Sequence, residues 1–160
     1  MSKRTSAKLL ILSIFLLAAS GCVPYYVNTQ DLGERAETAA EVRAYVSGYF
    51  FPNDQGGDYY HPDGRYNAIS SDRRSIAIGT WNIHDGVVGP SLCESYTFYV
   101  AGTNNRQPAS PVQRCYIVYF LPDGTANLDQ MGGGNFRLLN RTKGFSLQSV
   151  FNALRHQMGV

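Results

Sequence analysis

Few residues in this chain have the types and the spacing that catalysis requires. The chain has three histidines, and two of them, His61 and His84, stand just before the turn aspartates Asp63 and Asp85. A histidine in a turn is usually solvated, so neither pair points to a metal site. The sequence also lacks the Gly-x-Ser-x-Gly, His-Glu-x-x-His and Cys-x-x-Cys motifs that set up a serine nucleophile or a zinc site. We therefore predict no catalytic residues, no metal and no cofactor.

The acidic residues leave two hydrolase arrangements open. Paired carboxylates of the glycosidase type must converge across a cleft, and the available acids are Asp54, Asp58, Asp63, Asp72, Asp85 and Glu94. Nearly all of them occupy positions where turns use aspartate for local hydrogen bonds. The other arrangement would require His61, His84 and an acid such as Asp72 or Glu94 to meet in one pocket.

Glu94 is the exception among the acids, because it falls in the middle of a predicted strand. Its carboxylate either faces solvent, the usual place for a charge, or lines a cavity opposite Arg114. With these two residues, Trp81, Tyr96 and Tyr116 are our candidate binding residues. Aromatic strands without a catalytic motif often enclose a small apolar ligand.

The first 22 residues indicate export. Three basic residues precede an apolar run over 9–19 that only Ser13 interrupts, and small residues then lead to Cys22. A charged start, a short apolar middle and a small-residue exit are typical of a signal peptide. The run is also shorter than the roughly 20 apolar residues of a membrane-spanning helix.

Residues 19–22, Ala-Ser-Gly-Cys, resemble a bacterial lipobox, in which the signal is removed before a cysteine that becomes acylated. The resemblance implies a lipoprotein signal peptide over 1–21, a lipidated tether over 22–37 and a single β-rich domain over 38–160. Multiple acyl chains on Cys22 would hold the protein firmly on a membrane. Because Val23 follows in place of aspartate, the resemblance favours the outer membrane, facing the periplasm. The alternatives are an ordinary secretory signal with a chance cysteine, and a single-span anchor.

The charge balance argues against a nucleic-acid partner. The whole chain has 14 basic and 12 acidic residues, but three of the basic residues lie in the predicted signal, which leaves 11 against 12. This balance does not give the basic surface that binds phosphates. The remaining 139 residues suffice for one domain with a core. Their many tyrosines and glycines favour strands over helices.

Cys93 and Cys115 remain once Cys22 is assigned to lipid. If Asn104 marks the tip of a hairpin, both cysteines are equally far from it and face each other on neighbouring strands. An even pair in an exported protein is most simply a disulfide, and two unpaired buried thiols are the alternative. The hairpin leaves 102–111 as a long exposed loop. Its register predicts an aromatic layer on one face, made of Tyr96, Phe98, Val100, Tyr116, Val118 and Phe120.

A helix is predicted at each end of the domain. Thr38 and Glu41 have the spacing of a capping box, and Gly48 can end the helix that it begins. The apolar face of this helix would comprise Val42, Tyr45, Val46 and Tyr49. Ser146 can cap a second helix. Its apolar stripe, which we interpret as core packing, comprises Leu147, Val150, Phe151, Leu154 and Met158.

Between the helices, short apolar segments alternate with turn sequences. The tetrads at 61–64, 83–86 and 121–124 each end in Asp-Gly and predict tight turns. Strands are expected at 58–61, 65–70, 75–83, 87–100, 112–120, 125–128 and 135–139. Because the apolar alternation changes parity within 75–83, we predict a β-bulge at Gly79 and Thr80. The pattern is that of a mainly β antiparallel meander, forming a curved sheet or a partly closed lipocalin-like barrel.

Three segments together resemble one protein family. They are Tyr-Tyr-His-Pro-Asp-Gly-Arg at 59–65, Gly-Thr-Trp-Asn-Ile-His-Asp-Gly at 79–86 and Cys-Tyr-Ile-Val-Tyr-Phe at 115–120. Their order is similar to that in the proteobacterial family called domain of unknown function nine-nine-five, over roughly residues 39–139. The resemblance implies a small secreted or lipidated β-rich domain with a cysteine bridge, and it implies no activity.

These features lead us to expect a non-enzymatic envelope lipoprotein that binds a small ligand or lipid through its sheet or barrel mouth. The membrane would be its partner through the lipid anchor. The alternative is a protein-facing role, as an inhibitor of a cell-wall hydrolase or a component of envelope assembly, with 102–111 as the loop that contacts the partner.

Overall fold

The computed structural model describes residues 32–102, 111–131, 135–138 and 141–160. Over these ranges the chain forms two helices and ten strands of one antiparallel sheet. The helices are α1 (Ala39–Val46) and α2 (Gln148–Met158). The strands are β1 (Glu34–Arg35), β2 (Tyr49–Asn53), β3 (Gly56–Tyr60), β4 (Arg65–Ile69), β5 (Ser75–Gly86), β6 (Gly89–Val100), β7 (Val112–Phe120), β8 (Ala126–Gln130), β9 (Asn135–Leu138) and β10 (Thr142–Lys143).

The sheet is a meander that curls into a half-barrel. Its strand order is β10-β2-β3-β4-β5-β6-β7-β8-β9, so each strand from β2 to β8 pairs with the next strand in the chain. β9 and β10 lie at opposite edges, although only residues 139–141 separate them in the sequence. Since one residue spans at most about 3.6 Å, the two edges come close together at this point. The predicted mainly β meander, curved and partly closed, is confirmed.

The inner face of the half-barrel carries the core. Alternate residues of each strand point inward, and Gly79 of β5 lies between Tyr66 of β4 and Tyr96 of β6. A Cβ atom at Gly79 would come within 2.6 Å of the Cα atom of Tyr96, so glycine is needed for this close approach. The buried inner residues include Phe51, Tyr60, Tyr66, Ala77, Trp81, Leu92, Tyr96, Tyr116, Val118, Ala126 and Leu128.

Helix α1 closes one end of the half-barrel. The Glu41 amide donates a hydrogen bond to Thr38 Oγ1 at 3.2 Å, and the Thr38 amide donates to the Glu41 carboxylate at 3.2 Å. The predicted capping box is therefore confirmed. Val42 and Val46 are fully buried in the core. The helix thus holds its apolar face against the inside of the sheet.

The predicted helical face is wrong at its last residue. Gly48 has a φ of 80° and ends the turn after α1, so Tyr49 already belongs to β2. β2 has no counterpart among the predicted strands, and it contains Pro52. Proline is tolerated there because β10 pairs only with Tyr49 and Phe50, which leaves the rest of β2 as an edge.

Helix α2 covers the outer face of the sheet. Phe151 is buried and packs with Ile69 of β4 and Ile76 of β5. The partly buried residues around it include the predicted stripe Leu147, Val150, Leu154 and Met158, so its role in core packing is confirmed. Ser146 is not the N-cap, because the helix begins after Leu147 and has no side-chain cap hydrogen bond. That prediction is wrong.

The predicted bulge at Gly79 and Thr80 is also wrong. Residues 75–86 of β5 pair with residues 89–100 of β6 in one unbroken register. The parity change has another cause: Ile76 packs under α2 on the outer face, whereas Trp81 lies in the inner core. One continuous strand therefore buries apolar side chains on both faces, at different points along its length.

Two of the three predicted turns are confirmed. In 61–64 and 121–124 the last glycine has a φ of 88° and 78°, and its amide donates to the carbonyl oxygen of the first residue at 3.0 Å. The third prediction, at 83–86, is wrong because those residues continue β5. The hairpin turns instead at Val87 and Val88, between Gly86 and Gly89.

The predicted disulfide is confirmed. Cys93 of β6 lies opposite Cys115 of β7, with a Cα–Cα distance of 4.1 Å. The predicted aromatic layer is incomplete toward the tip of this hairpin, where Phe98 and Val100 are 43% and 42% exposed. The loop predicted over 102–111 falls mostly outside the described residues.

Residues 32–37, which the sequence assigned to the tether, lie against the sheet. β1 pairs with the last two residues of β7, and the Ala36 amide donates to the Val118 carbonyl oxygen at 2.8 Å. The predicted signal peptide and Cys22 lie outside the described residues. Within the described part of the chain, neither helix is long and apolar enough to span a membrane.

Candidate functional site

A cavity of about 440 Å³ lies inside the half-barrel, at the end opposite α1. Every strand from β2 to β8 contributes to its wall. Its mouth is bordered by Pro52 and Asn53 at the end of β2, by Ser70 and Ser71 after β4, and by Phe98 near the end of β6. This volume is within the range of sites that enclose small molecules.

Glu94 places a carboxyl group in the wall of this cavity. It lies on the inner face of β6, opposite Trp81 of β5 and Arg114 of β7, and is 5% exposed. The Tyr60 hydroxyl donates a hydrogen bond to Glu94 Oε1 at 2.5 Å, and Tyr116 also hydrogen-bonds this carboxyl group. The cavity position opposite Arg114 is therefore confirmed, and the solvent-facing alternative is wrong.

Asp58 supplies a second carboxyl group from β3. It lies within the strand predicted over 58–61 and not at a turn, because it pairs with Phe51 of β2 and Ala68 of β4 inside the sheet. The Tyr66 hydroxyl donates a hydrogen bond to Asp58 Oδ1. Two carboxyl groups thus line one cavity, and each accepts a hydrogen bond from a tyrosine.

Burial changes the protonation of both acids. Removal from water, together with the nearby charge of Asp58, raises the pKa of Glu94 to about 8, although tyrosine hydrogen bonds and Arg114 act in the opposite direction. Burial also raises the pKa of Asp58, against the effect of the Tyr66 hydrogen bond and of Arg114. The two carboxyl groups are therefore not both ionised at neutral pH.

The tyrosine hydroxyls of the cavity stay neutral. Burial raises the pKa of Tyr60 and of Tyr66 well above the usual value, and the charges of Glu94 and Asp58 raise both further. Burial likewise raises the pKa of Tyr116. These hydroxyls therefore act as hydrogen-bond donors to the carboxyl groups throughout the physiological pH range.

Aromatic rings form a continuous wall beside the carboxyl groups. The ring centroids lie 5.4 Å apart for Tyr60 and Tyr66, 5.3 Å for Tyr66 and Tyr96, and 5.1 Å for Tyr96 and Phe98. The guanidinium carbon of Arg114 lies 6.0 Å from the centroid of the Tyr96 ring. Ring faces of this kind attract positive charge.

The structure brings four of the five predicted binding residues together at the cavity, namely Glu94, Tyr96, Arg114 and Tyr116. Trp81 lies deeper, toward α1, and is 3% exposed. Its Nε1 atom donates to the His61 carbonyl oxygen at 2.8 Å, and the Arg43 guanidinium lies 5.1 Å from its ring centroid. Trp81 therefore belongs to the core between the cavity and the helix.

The sequence reasoning missed Asp58, Tyr60 and Tyr66. The available signal was the alternation along β3 and β4, since Asp58 and Tyr60 are two residues apart and share a face. The turn at 61–64 sets the register of this hairpin and places Tyr66 opposite Tyr60. The turn was predicted, but we did not predict that it would place these three side chains on the inner face of the sheet.

The histidines do not join the cavity. His61 lies in the turn after β3, where its Nε2 atom is 2.6 Å from Asn67 Nδ2, and burial lowers the pKa of its imidazole. His84 is exposed on β5, and Asp72 hydrogen-bonds Ser70 and the Arg74 amide within its own turn. Among the described residues, His61, His84 and an acid therefore do not meet in one pocket, whereas two of the candidate carboxyl groups, Asp58 and Glu94, do line one cavity. The described residues also contain no group of three histidine, cysteine, aspartate or glutamate side chains that could hold a metal.

The chemistry of the cavity follows from its own groups. Buried acids that keep a proton near neutral pH, neutral tyrosine donors and ring faces can bind a small molecule through hydrogen bonds and charge. They can also exchange a proton with it.

No family model matches the chain, and neither a curated protein nor a solved structure matches it. The resemblance to domain of unknown function nine-nine-five stays a prediction.

Proposed function

We propose that this protein is a lipid-anchored, non-enzymatic envelope protein that binds a small ligand in the cavity of its half-barrel. The single observation that carries the proposal is the cavity of about 440 Å³. A completely filled interior would have favoured recognition at the outer surface. Small-molecule sites combine apolar walls with a few convergent polar groups, and this cavity combines aromatic rings with Asp58, Glu94 and Arg114.

The anchor in this proposal is Cys22, acylated after removal of residues 1–21. The described chain enters the domain through β1, which pairs with Phe120 and Tyr119 at the end of β7. The Phe120 ring lies 5.3 Å from that of Tyr45 in α1, so the chain enters at the closed end. The mouth of the cavity then faces away from the membrane, where ligands in the periplasm can reach it.

A thermal-shift screen of small amphiphilic molecules tests ligand binding. A molecule that binds only the folded state raises the Tm. Ala68 lines the cavity, so we expect Ala68→Phe to fill part of it and to abolish the shift. Thr80 is exposed and outside the cavity, which makes Thr80→Phe the matched control that keeps the shift.

Two results would count against ligand binding in the cavity. One is a screen in which no compound raises the Tm of the wild-type protein. The other is a set of hits whose shifts survive in Ala68→Phe, because such compounds would bind elsewhere.

A protein-facing role is the second candidate, and the β5–β6 turn favours it. Val87 is fully exposed and Val88 is 46% exposed at the closed end of the half-barrel. Neighbouring apolar side chains on a surface often mark a protein interaction site. If this role holds, replacing both valines by serine reduces the capture of an envelope partner in a pull-down and leaves the Tm shifts of cavity ligands unchanged.

A further inference from the structure

The cavity contains more acids than bases. Three of its described lining residues can carry a charge near neutral pH, namely Asp58, Glu94 and Arg114. With both carboxyl groups ionised, two negative charges would face one positive charge. An uncompensated charge in a site removed from water is unfavourable. One proton or one added cation restores the balance.

Arg114 does not neutralise either acid by direct contact. In the described part of the chain it forms an ion pair with neither Asp58 nor Glu94. Its guanidinium group hydrogen-bonds the Tyr116 hydroxyl and lies near the Tyr96 ring. The acids are held by neutral tyrosine hydroxyls instead. No positively charged side chain of the described residues therefore contacts the two carboxyl groups directly, and this position is open to a cation from outside.

The remaining wall suits an organic cation better than a metal ion. Ca²⁺ takes six or more oxygen ligands and Mg²⁺ near-ideal octahedral geometry, and the described residues place no third acid or histidine beside the two carboxyl groups. In contrast, the rings of Tyr66 and Tyr96 line the cavity with their centroids 5.3 Å apart, and Phe51 and Leu128 give the cavity an apolar side. Such rings bind desolvated ammonium groups.

We infer that the cavity ligand is a small organic monocation, a protonated alkylamine, whose ammonium group lies between Asp58 and Glu94 and whose alkyl part lies along the tyrosine rings. This inference rests on the proposed ligand-binding function and specifies its ligand class. The exchange is balanced in charge: the ammonium ion enters, the Glu94 carboxyl group releases its proton to solvent, and the net charge of the cavity is unchanged.

The test is calorimetric titration of the full protein with n-hexylamine, n-hexanol and hexanoate near pH 7. We expect n-hexylamine to bind about tenfold or more tightly than n-hexanol, because only the amine gains the carboxylates and ring faces. Hexanoate should give no detectable heat of binding. Repeating the amine titration in buffers of different ionisation enthalpy should show about one proton released per amine bound.

Three variants locate the effect. Glu94→Gln keeps an acceptor for the Tyr60 hydroxyl, and we expect it to lose both the preference for amine and the proton release. Asp58→Asn should also reduce amine affinity to about that of the alcohol. Glu37→Gln removes an exposed acid beside α1, far from the cavity, and should change neither quantity. Circular dichroism of each variant confirms that it is folded.

Several results would overturn the monocation inference. If n-hexanol binds as tightly as n-hexylamine, and Ala68→Phe abolishes both, the cavity binds ligands but does not select a cation, and the proposed function stands. Preferred binding of hexanoate would mean that the positive charge of Arg114 makes the cavity select an anion. Unchanged amine binding in both Glu94→Gln and Asp58→Asn, or no binding of any probe, would equally contradict the inference.

Discussion

At Glu94 and Asp58 the half-barrel contains acids in its interior because a tyrosine hydroxyl accompanies each one. A buried carboxyl group without a hydrogen bond would destabilise the fold by about 1–3 kcal/mol. The hydroxyls of Tyr60 and Tyr66 satisfy the acids without adding charge. The remaining cost of ionisation appears as the raised pKa of both carboxyl groups.

Glu94 should make folding stability depend on pH. Its pKa is about 8 in the folded state and 4.5 when solvated. Between these values the folded state holds a proton that the unfolded state has released. The free energy of unfolding therefore falls as pH rises through this window, by up to about 1.4 kcal/mol per pH unit from this group. Glu94→Gln removes this dependence. In urea unfolding, the free energy of unfolding of the variant should therefore increase relative to that of the wild type as pH rises.

The comparison between the two proteins cancels the groups that titrate independently of Glu94 and reports Glu94 together with its coupling to Asp58, whose charge raises the Glu94 pKa. Burial lowers the pKa of His61. This shift makes the free energy of unfolding rise with pH, and it does so equally in the wild type and in Glu94→Gln. Asp58 and Arg114 are also present in both. Parallel stability profiles for wild type and Glu94→Gln between about pH 5 and pH 8 would contradict a proton held on Glu94.

At the scale of elements, α1 matters because its apolar face closes the half-barrel beneath the cavity. The capping box at Thr38 satisfies amides at its first turn. Thr38→Ala should therefore reduce the free energy of unfolding by about 1 kcal/mol. Ser146→Ala is the matched control, because α2 has no side-chain cap hydrogen bond. Urea unfolding that shows equal losses in both variants would contradict this role of Thr38.

The disulfide should contribute more to stability than any single cap. Cys93 and Cys115 are 22 residues apart. Closing a loop of this size lowers the entropy of the unfolded chain and so stabilises the folded state by about 3 kcal/mol. Replacing both cysteines by serine should reduce the free energy of unfolding by a similar amount in urea titrations. A loss below about 1 kcal/mol would show that the hairpin is held by its strand pairing alone.

Local patterns in the sequence predicted the elements better than they predicted the cavity. The capping box at Thr38 and the turns at 61–64 and 121–124 are short signals set by neighbouring residues, and all were correct. The predicted bulge at Gly79 failed because α2, which is distant in the sequence, buries the outer face of β5. Asp58 was missed for a related reason: its facing depends on the register of a hairpin and on the curl of the whole sheet.

At the scale of the whole molecule, the chain enters the half-barrel at the end opposite the cavity mouth. If Cys22 is acylated, Cys22→Ser should release the protein from the membrane fraction. Mass spectrometry of the wild-type amino-terminal peptide should show residues 1–21 removed and acyl chains added to the cysteine. A soluble wild-type protein with an unmodified Cys22 would contradict the anchor while leaving the cavity proposal intact.

Native mass spectrometry of the protein purified from its own host shows whether the cavity binds a small molecule. We expect a bound small molecule in the wild type and in Thr80→Phe, and its loss in Ala68→Phe. Wild-type protein that carries no small molecule, or Ala68→Phe protein that carries the same molecule at the same occupancy, would contradict it.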